Sequence, residues 1–332
     1  MTVTIHTGDC RDVLRSLADC SVNTCVTSPP YFGLRDYDVH GQIGLEQTPE
    51  AFIAELVDVF REVRRVLRDD GTLWLNIGDS YANDGKWGGA SGGKHAKALH
   101  GDTGVGRRKV VTGLKPKNLM LLPARVAIAL QADGWYVRQD IIWNKPNAMP
   151  ESVTDRCTKA HEYLFLLSKS ERYYFDAEAI KEPAKEWSGR AATFDRVGNP
   201  VSEHVLPGQN AAQHRPRPSV KRGGFNGKTE AMASSGRNAF RAVVPMRNKR
   251  SVWNVATKPY KGAHFATFPK ELIRDCILAG CPAGGTVLDP FGGAGTTGVA
   301  SEELGRDSVL IELNPKYVGM SNTRLGLAGS AA

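Results

Sequence analysis

A glycine-rich turn between two predicted strands, near the end of the chain, limits the possible folds more than any other feature. Residues 286–289 read as a buried strand, and residues 297–304 read as the helix that follows the turn. The glycines allow a sharp turn and a close approach to a ligand, toward which the helix N-terminus directs its dipole. A second strand over 308–311 runs into Glu312, where α/β folds hold a ribose diol. This pattern predicts a ribose-containing ligand at the strand ends.

The other strands of this sheet are expected upstream, because the sequence ends at residue 332. Apolar residues at 22–26 predict a strand that stops at Thr27-Ser-Pro-Pro-Tyr31. Two consecutive prolines lack backbone donors and fix φ, so the chain must leave the sheet rigidly there. The tip of that turn carries one hydroxyl and one aromatic ring, which suits a planar, hydrogen-bonding group such as a nucleobase. We expect both loops at the same carboxyl edge of one sheet.

Each of these two stretches also has another interpretation. The spacing Gly293-x-Gly-x-x-Gly298 satisfies the dinucleotide fingerprint, so a nicotinamide oxidoreductase is an alternative. The stretch at 27–31 also matches an ordinary strand followed by a Pro-Pro turn. Motifs elsewhere in the chain have to decide between these readings.

The rest of the chain alternates between strand and helix patterns, apart from two irregular segments. Strands are also predicted over 3–5, 72–77, 136–143 and 163–167, and helices over 11–17, 49–67 and 119–131. Segment 82–117 holds nine glycines and eight Lys or Arg against two Asp, and we predict a mobile basic loop. Segment 181–261 holds 16 Lys or Arg against five Asp or Glu, within a net charge of +8 for the whole chain. Such a concentration is typical of a region that binds a polyanion, the alternative being an insertion that only aids solubility.

Composition excludes several classes of protein. A chain of 332 residues can bury a full α/β core with a smaller appended region. No apolar run approaches the roughly 20 residues that span a bilayer, and the residues at the start of the sequence lead us to expect no secretory signal. The six cysteines form no Cys-x-x-Cys pair, so we expect no metal site, reduced thiols and a cytoplasmic location.

The motifs, taken together and in their order, resemble the β group of exocyclic-amino DNA methyltransferases. Residues 289–297, Asp-Pro-Phe-Gly-Gly-Ala-Gly-Thr-Thr, resemble the S-adenosylmethionine loop of that family. Residues 27–31 resemble its catalytic loop, in the variant most often associated with cytosine N4 methylation. Further stretches of the resemblance lie at 8–9, 74–80, 143–147, 161–163 and 264–269.

The resemblance covers nearly the whole chain and implies its architecture. It implies a Rossmann-like α/β methyltransferase fold that is circularly permuted, with the catalytic loop first and the cofactor loop last. The expected parts are a catalytic half over 1–180, a basic target-recognition region over 181–261 and a cofactor-binding half over 262–328. The resemblance also implies a bacterial or phage-encoded protein.

The chemistry of the catalytic loop follows from its residue types. Ser28 Oγ and the Pro29 carbonyl, held at fixed spacing by Pro29 and Pro30, are two acceptors for the two N–H groups of an exocyclic amine. Tyr31 is expected to stack on a base flipped out of the duplex. The roles of Asp79, Trp143, Lys145, Asn147 and Glu162 stay open, and structural support is favoured for His161.

The predicted cofactor site combines residues from both ends of the chain. Phe291, Gly293 and Gly295 would form the wall around the amino-acid and sulfonium part, and Glu312 would accept the ribose hydroxyls. By family resemblance Asp9 would accept from the adenine amino group, although it is also a candidate helix N-cap. The predicted cofactor-binding residues are Asp9, Thr267, Phe268, Asp289, Phe291, Gly293, Gly295 and Glu312.

The sequence therefore predicts a DNA methyltransferase that transfers a methyl group from S-adenosylmethionine to cytosine N4 in a short duplex site. Adenine N6 methylation is the alternative, and an inactive DNA-binding module is a more remote one. The partners expected are double-stranded DNA and a cognate restriction endonuclease. The DNA contacts are assigned to Arg215, Arg217, Lys221, Arg222, Arg247, Lys249 and Arg250.

Overall fold

The computed structural model describes residues 1–82, 112–184, 246–258 and 268–327. The chain divides into two compact units, Met1–Ile180 with Lys249–Ala332 as the first and Lys181–Asn248 as the second. Most of the predicted basic loop and most of the predicted target-recognition region lie outside the described residues. None of the helices in the described ranges has the length and apolar character needed to cross a membrane.

Eight strands of the first unit form one sheet in the order β1-β10-β9-β2-β3-β5-β4-β8. Two further short strands, β6 and β7, pair antiparallel in the second unit. The ten strands are β1 Val3–Thr7, β2 Val22–Thr27, β3 Leu67–Ile77, β4 Tyr136–Asn144, β5 His161–Ser168, β6 Glu182–Pro183, β7 Met246–Arg247, β8 Val252–Asn254, β9 Thr286–Asp289 and β10 Asp307–Glu312.

The sheet is mostly parallel, and one reversed strand brings residues from a distant part of the sequence to the edge where the parallel strands have their carboxyl ends. Neighbouring strands from β1 through β3 run parallel, so their carboxyl ends lie at the same edge. Strand β5 runs antiparallel to both β3 and β4, with Ile77 opposite Tyr163 and Asn144 opposite His161. The start of β5 therefore lies beside the ends of β3 and β4, at the same edge as the loops that follow β2 and β9.

Helices cover both faces of the sheet. Successive side chains of a strand point to opposite faces, so neighbouring residues of β3 pack against different helices. Leu73 and Leu75 pack in one apolar cluster with residues of α2 and α3, whereas Trp74 packs in a second cluster with residues of α4. The helices are α1 Cys10–Ser16, α2 Pro49–Val66, α3 Leu122–Ala132, α4 Lys270–Gly280, α5 Thr296–Glu303 and α6 Pro315–Arg324.

The predicted α/β class with a mostly parallel sheet is confirmed, and one predicted helix starts later than expected. Strands 22–27 and 286–289 have the predicted bounds, and the predicted antiparallel pair is formed by β4 and β5. Helix α3 begins at Leu122 and not at residue 119, because Leu121 has a left-handed backbone (φ 55°) and Met120 N–H donates to Ser80 O at 2.9 Å. Asp79 Oδ1 accepts from Leu122 N–H at 3.0 Å, so Asp79 caps this helix from a distant part of the sequence.

Candidate active site

Loops at the carboxyl ends of β1, β2, β9 and β10 surround one cavity. The cavity holds about 1100 Å³ of empty space, counting the part that is open to solvent. The sequence-predicted residues that line it are Asp9, Ser28, Pro29, Pro30, Tyr31, Phe268, Asp289, Phe291, Gly293 and Glu312. Residues predicted for catalysis and for cofactor binding are thus brought to the same cavity.

Asp289 joins three elements from inside the protein. Its Oδ1 accepts from Thr27 Oγ1 at 2.6 Å and from Phe291 N–H at 3.1 Å, and its Oδ2 accepts from Thr297 Oγ1 at 2.6 Å. Burial raises the pKa of this carboxyl, and the three donors oppose that shift. The carboxyl group ties the end of β2 to the glycine-rich turn and to α5, and so it holds the wall of the cavity in shape.

Glu312 is fixed at the end of β10 by backbone donors. Its Oε2 accepts from Gly293 N–H and its Oε1 accepts from Asn314 N–H, both at 2.8 Å. Burial raises the pKa of Glu312, while these hydrogen bonds oppose the rise. Each oxygen keeps lone-pair capacity for a further donor, since an ionised carboxylate offers about four acceptor sites.

The two predicted glycines give the cofactor loop its path. Gly293 has φ +51° and Gly295 has φ +76°, a region that favours glycine. Gly293 lines the cavity, whereas Gly295 is the N-cap of α5. A Cβ on Gly295 would lie 3.1 Å from the Ser321 side chain, so close packing against α6 also favours glycine there.

Asp9 is both a helix cap and part of the cavity wall. Its Oδ1 accepts from Arg11 N–H at 2.9 Å, which makes it the N-cap of α1, and its Oδ2 accepts from Arg11 Nη2 at 2.5 Å. Burial acts to raise the pKa of Asp9, but the interactions with Arg11 outweigh it and the net pKa is lowered. The helix-cap role considered from the sequence is therefore present, in a residue that also lines the cavity.

The catalytic loop is held rigidly behind its tip. Leu34 N–H donates to Tyr31 O at 3.2 Å, and Gly33 N–H donates to Gly44 O at 2.7 Å. The Tyr31 hydroxyl donates to Glu162 Oε2 at 2.7 Å. Burial raises the pKa of Tyr31 well above its ordinary value, and the neighbouring Glu162 adds to the rise, so the hydroxyl stays protonated.

The structure also gives contacts to the residues whose roles stayed open. The Trp143 indole N–H donates to Val255 O at 2.8 Å, and Asn147 exchanges hydrogen bonds with the Thr257 backbone. The His161 ring meets the Tyr163 ring edge-on at 5.4 Å between centroids. These contacts hold the edge of the sheet together, which is the kind of support expected for His161.

Several residues that the sequence did not single out line the cavity as well. Among them are Arg35, Tyr37, Asn314 and Tyr317. Burial lowers the pKa of Arg35 and raises that of Tyr37 to about 12. Two sequence signals could have found them. Arg35 and Tyr37 follow the catalytic loop closely, and Asn314 directly precedes a proline after a strand, which is a helix-start signature.

The predicted DNA contacts are only partly within the described residues. Arg247 Nε donates to Glu182 Oε1 at 2.8 Å, and Lys249 Nζ lies 2.6 Å from Asp275 Oδ2. The Arg250 carbonyl accepts from the Trp253 indole at 2.7 Å. The predicted residues that lie outside the described ranges are Arg215, Arg217, Lys221 and Arg222, together with Thr267 of the cofactor site. In the described parts of the chain, no three His, Cys, Asp or Glu side chains are grouped so that they could hold a metal ion.

Comparison with known proteins decides the family. A family model described as DNA methylase, of the N6/N4 type, matches residues 22–323. The type II methyltransferase M.Cfr9I of Citrobacter freundii is 46% identical over 325 residues, which are 97% of this chain and 87% of that protein. The chain belongs to the N6/N4 DNA methylase family.

Two solved structures share the fold. The PvuII DNA methyltransferase, described as cytosine-N4-specific, has a TM-score of 0.60 at 16% identity, covering 100% of this chain and 89% of that one. The M1.HpyAVI–SAM complex has a TM-score of 0.51 at 14% identity, covering 98% and 100%. The predicted family resemblance and enzyme class are confirmed, and the family favours a methyltransferase over the oxidoreductase reading of the glycine spacing.

Proposed function

We propose that this DNA methyltransferase transfers a methyl group from S-adenosylmethionine to the exocyclic N4 amine of cytosine in duplex DNA. The observation that carries the proposal is the shared cavity, which has the loop of Ser28 and Tyr31 on one side and Glu312 with Gly293 on another. A base acceptor and a cofactor wall thus face the same space. Direct transfer between two bound molecules needs this arrangement, because proximity and orientation supply much of the rate.

The residues of the cavity fit S-adenosylmethionine. Its ribose hydroxyls and adenine amino group are hydrogen-bond donors, which the carboxyl groups of Asp9 and Glu312 in the cavity can accept, and its cationic sulfonium is favoured by aromatic rings such as Phe291. When bound, the cofactor supplies an electrophilic methyl group. Glu312 holds the ribose hydroxyls, Asp9 accepts from the adenine amino group, and Phe291 with Gly293 and its neighbours forms the wall.

Two further assignments follow the family resemblance. Phe268 lines the cavity and, with Thr267, meets the carboxylate of the cofactor, next to the start of α4. Asp289 organises the loop through Thr27 and Thr297.

The catalytic loop orients the amine that is methylated. The lone pair of an exocyclic amine is delocalised into the ring, so the nitrogen has to become more tetrahedral before it attacks. Ser28 Oγ and the Pro29 carbonyl accept its two N–H groups and direct the lone pair toward the methyl group. Tyr31 stacks on the flipped base and offsets about 1–3 kcal/mol of its unstacking.

Cytosine is favoured over adenine because the loop carries Ser before Pro-Pro, in the variant most often associated with N4 methylation. Adenine N6 methylation is the second candidate, since a hydroxyl can accept from either amine.

We also propose that the basic region over 181–261 recognises the DNA site, that the fold is circularly permuted, and that a cognate restriction endonuclease shares the site. The relative M.Cfr9I is a type II methyltransferase, which supports the proposed endonuclease partner.

The identity of the methylated nucleoside tests the proposal. The protein is incubated with labelled S-adenosylmethionine and mixed-sequence duplex DNA, and the digested nucleosides are identified by mass spectrometry. We expect N4-methylcytosine. N6-methyladenine would support the second candidate. Methylation of RNA alone, or no product despite cofactor binding, would contradict the proposal.

Replacing Glu312 by alanine is expected to weaken S-adenosylmethionine binding by about 10- to 100-fold, because hydrogen bonds to a charged group are lost. The maximal rate at saturating cofactor should change less. Isothermal titration calorimetry measures the affinity, and Glu302→Ala, an exposed carboxylate on α5, is the matched control. An equal loss of rate at saturating cofactor would mean that Glu312 does more than bind.

A further inference from the structure

Three stretches that have no assigned chemical role converge on the aromatic ring of the catalytic loop. The first is the end of β3, with Asn76 and Gly78. The second is Lys145, the residue after β4, and the third is the start of β5, with Glu162. The antiparallel direction of β5 brings them together, since it places the start of that strand at the carboxyl edge of the parallel strands. The end of β3 and the start of β5 therefore adjoin the loop that leaves β2, and Lys145 adjoins the start of β5.

Glu162 is the centre of this group. Its Oε2 accepts from the Tyr31 hydroxyl at 2.7 Å and from Asn76 Nδ2 at 3.4 Å, and its Oε1 forms an ion pair with Lys145. The Glu162 side chain is 17% exposed and that of Lys145 is 19% exposed. Such a pair is costly to break, since removing either partner leaves a charge that is poorly solvated.

The partners of Glu162 are themselves anchored. Lys145 Nζ lies 4.3 Å from the centroid of the Trp143 ring, a cation–π distance. Asn76 Nδ2 also donates to the Tyr163 carbonyl at 3.1 Å, which ties the amide to β5. The acceptor that Glu162 offers to the Tyr31 hydroxyl is thus held by both neighbouring strands.

The ring of Tyr31 is fixed from a second side by Gly78. A Cβ on Gly78 would lie 2.5 Å from Tyr31 Cε2, so the ring packs directly against the backbone there. Among the described residues, Tyr31 lines the cavity and Glu162 does not. Tyr31 therefore borders the cavity, while the carboxylate that accepts from its hydroxyl belongs to a residue outside the cavity lining.

We propose that Glu162 is a positioning residue of the methyl-transfer reaction, which fixes the plane of the Tyr31 ring through its hydroxyl. This inference rests on the proposed function, in which Tyr31 stacks on the flipped base. Lys145 holds the carboxylate of Glu162, and Gly78 closes the far side of the ring. The tyrosine hydroxyl thus orients the ring, while the ring alone meets the base.

A double-mutant cycle on the full-length protein tests the inference. The rate of one methyl-transfer turnover on duplex DNA is measured for the wild type, Glu162→Met, Tyr31→Phe and the double variant. We expect each single change to lower the rate about 10- to 100-fold, the effect of one hydrogen bond to a charged group. The double variant should match the single ones within about 2-fold, because both changes break the same hydrogen bond.

Three comparisons accompany the cycle. Glu162→Gln keeps an oxygen acceptor and should recover part of the rate that Glu162→Met loses. The matched control is Glu62→Met on α2, where Glu62 pairs with Arg65 at a side-chain exposure of 27%, and its rate should stay within about 2-fold of the wild type. Affinity for S-adenosylmethionine should stay within about 2-fold in every variant, since the ring acts on the base and not on the cofactor.

The outcomes separate this inference from the function on which it rests. Additive losses in the cycle, or an unchanged rate in Glu162→Met, would overturn the positioning role while methylation by the wild type upheld the function. If Glu162→Met does not fold, an unchanged rate in Tyr31→Phe alone would overturn it, because that variant breaks the same hydrogen bond from the other side. A wild type that methylates no DNA would overturn both.

Discussion

Replacing Ser28 by alanine is expected to lower the rate of methyl transfer by about 100- to 1000-fold, the loss seen when one acceptor or donor aimed at the reacting group is removed. Ser28 lies just after β2 and lines the cavity, so its hydroxyl can reach a base that enters there. The affinity for S-adenosylmethionine should change by less than about 2-fold, since the cofactor residues belong to other loops. Single-turnover kinetics and calorimetry measure the two quantities.

The control for this change is Ser21→Ala, just before the same strand. The Ser21 hydroxyl is exposed and donates to Ala18 O at 2.7 Å, so both quantities should stay near those of the wild type. Equal losses of rate and of cofactor affinity in Ser28→Ala would show that the hydroxyl supports the loop and does not act on the amine.

The sequence predicts the parts of this site that depend on local chemistry. The strand at 22–27, the strand at 286–289 and the loops after them follow from apolar runs, prolines and glycines. The shared edge of the two loops follows from a general rule of parallel sheets. These features need no knowledge of how distant segments pack.

The interactions of Glu162 depend on strand direction and register. A reversal of β5, or a shift of its register by one residue, would move Glu162 away from Tyr31. A lone carboxylate at the start of a strand carries no signal of either property. The cavity position of Tyr317 likewise depends on how α6, which follows the end of β10, packs at the strand ends.

Replacing Asp289 by alanine is expected to lower the free energy of unfolding by about 3 kcal/mol or more, because two buried donors and one partly buried donor lose their acceptor. These donors are Thr27 Oγ1, Thr297 Oγ1 and Phe291 N–H. Asp289→Asn should cost at most about 1 kcal/mol, since the amide oxygen can accept on one side and the hydroxyl of Thr297 can turn to accept on the other. Chemical denaturation of both variants measures the difference.

Comparison with the Asp289→Asn variant also tests how the free energy of unfolding of the wild type depends on pH. Burial raises the pKa of Asp289 above its ordinary value of 3.8, so the folded state binds this proton more tightly than the unfolded state does. The stabilising contribution is fully present below 3.8 and is lost as pH rises through the raised value. Between pH 3.8 and the raised pKa, the free energy of unfolding of the wild type should therefore fall relative to that of Asp289→Asn. Above that pKa, the difference in free energy of unfolding between the two proteins should be constant. A difference that grew in the opposite direction would show that the donors of Thr27 and Thr297 outweigh burial, and that the carboxylate is the favoured form in the folded protein.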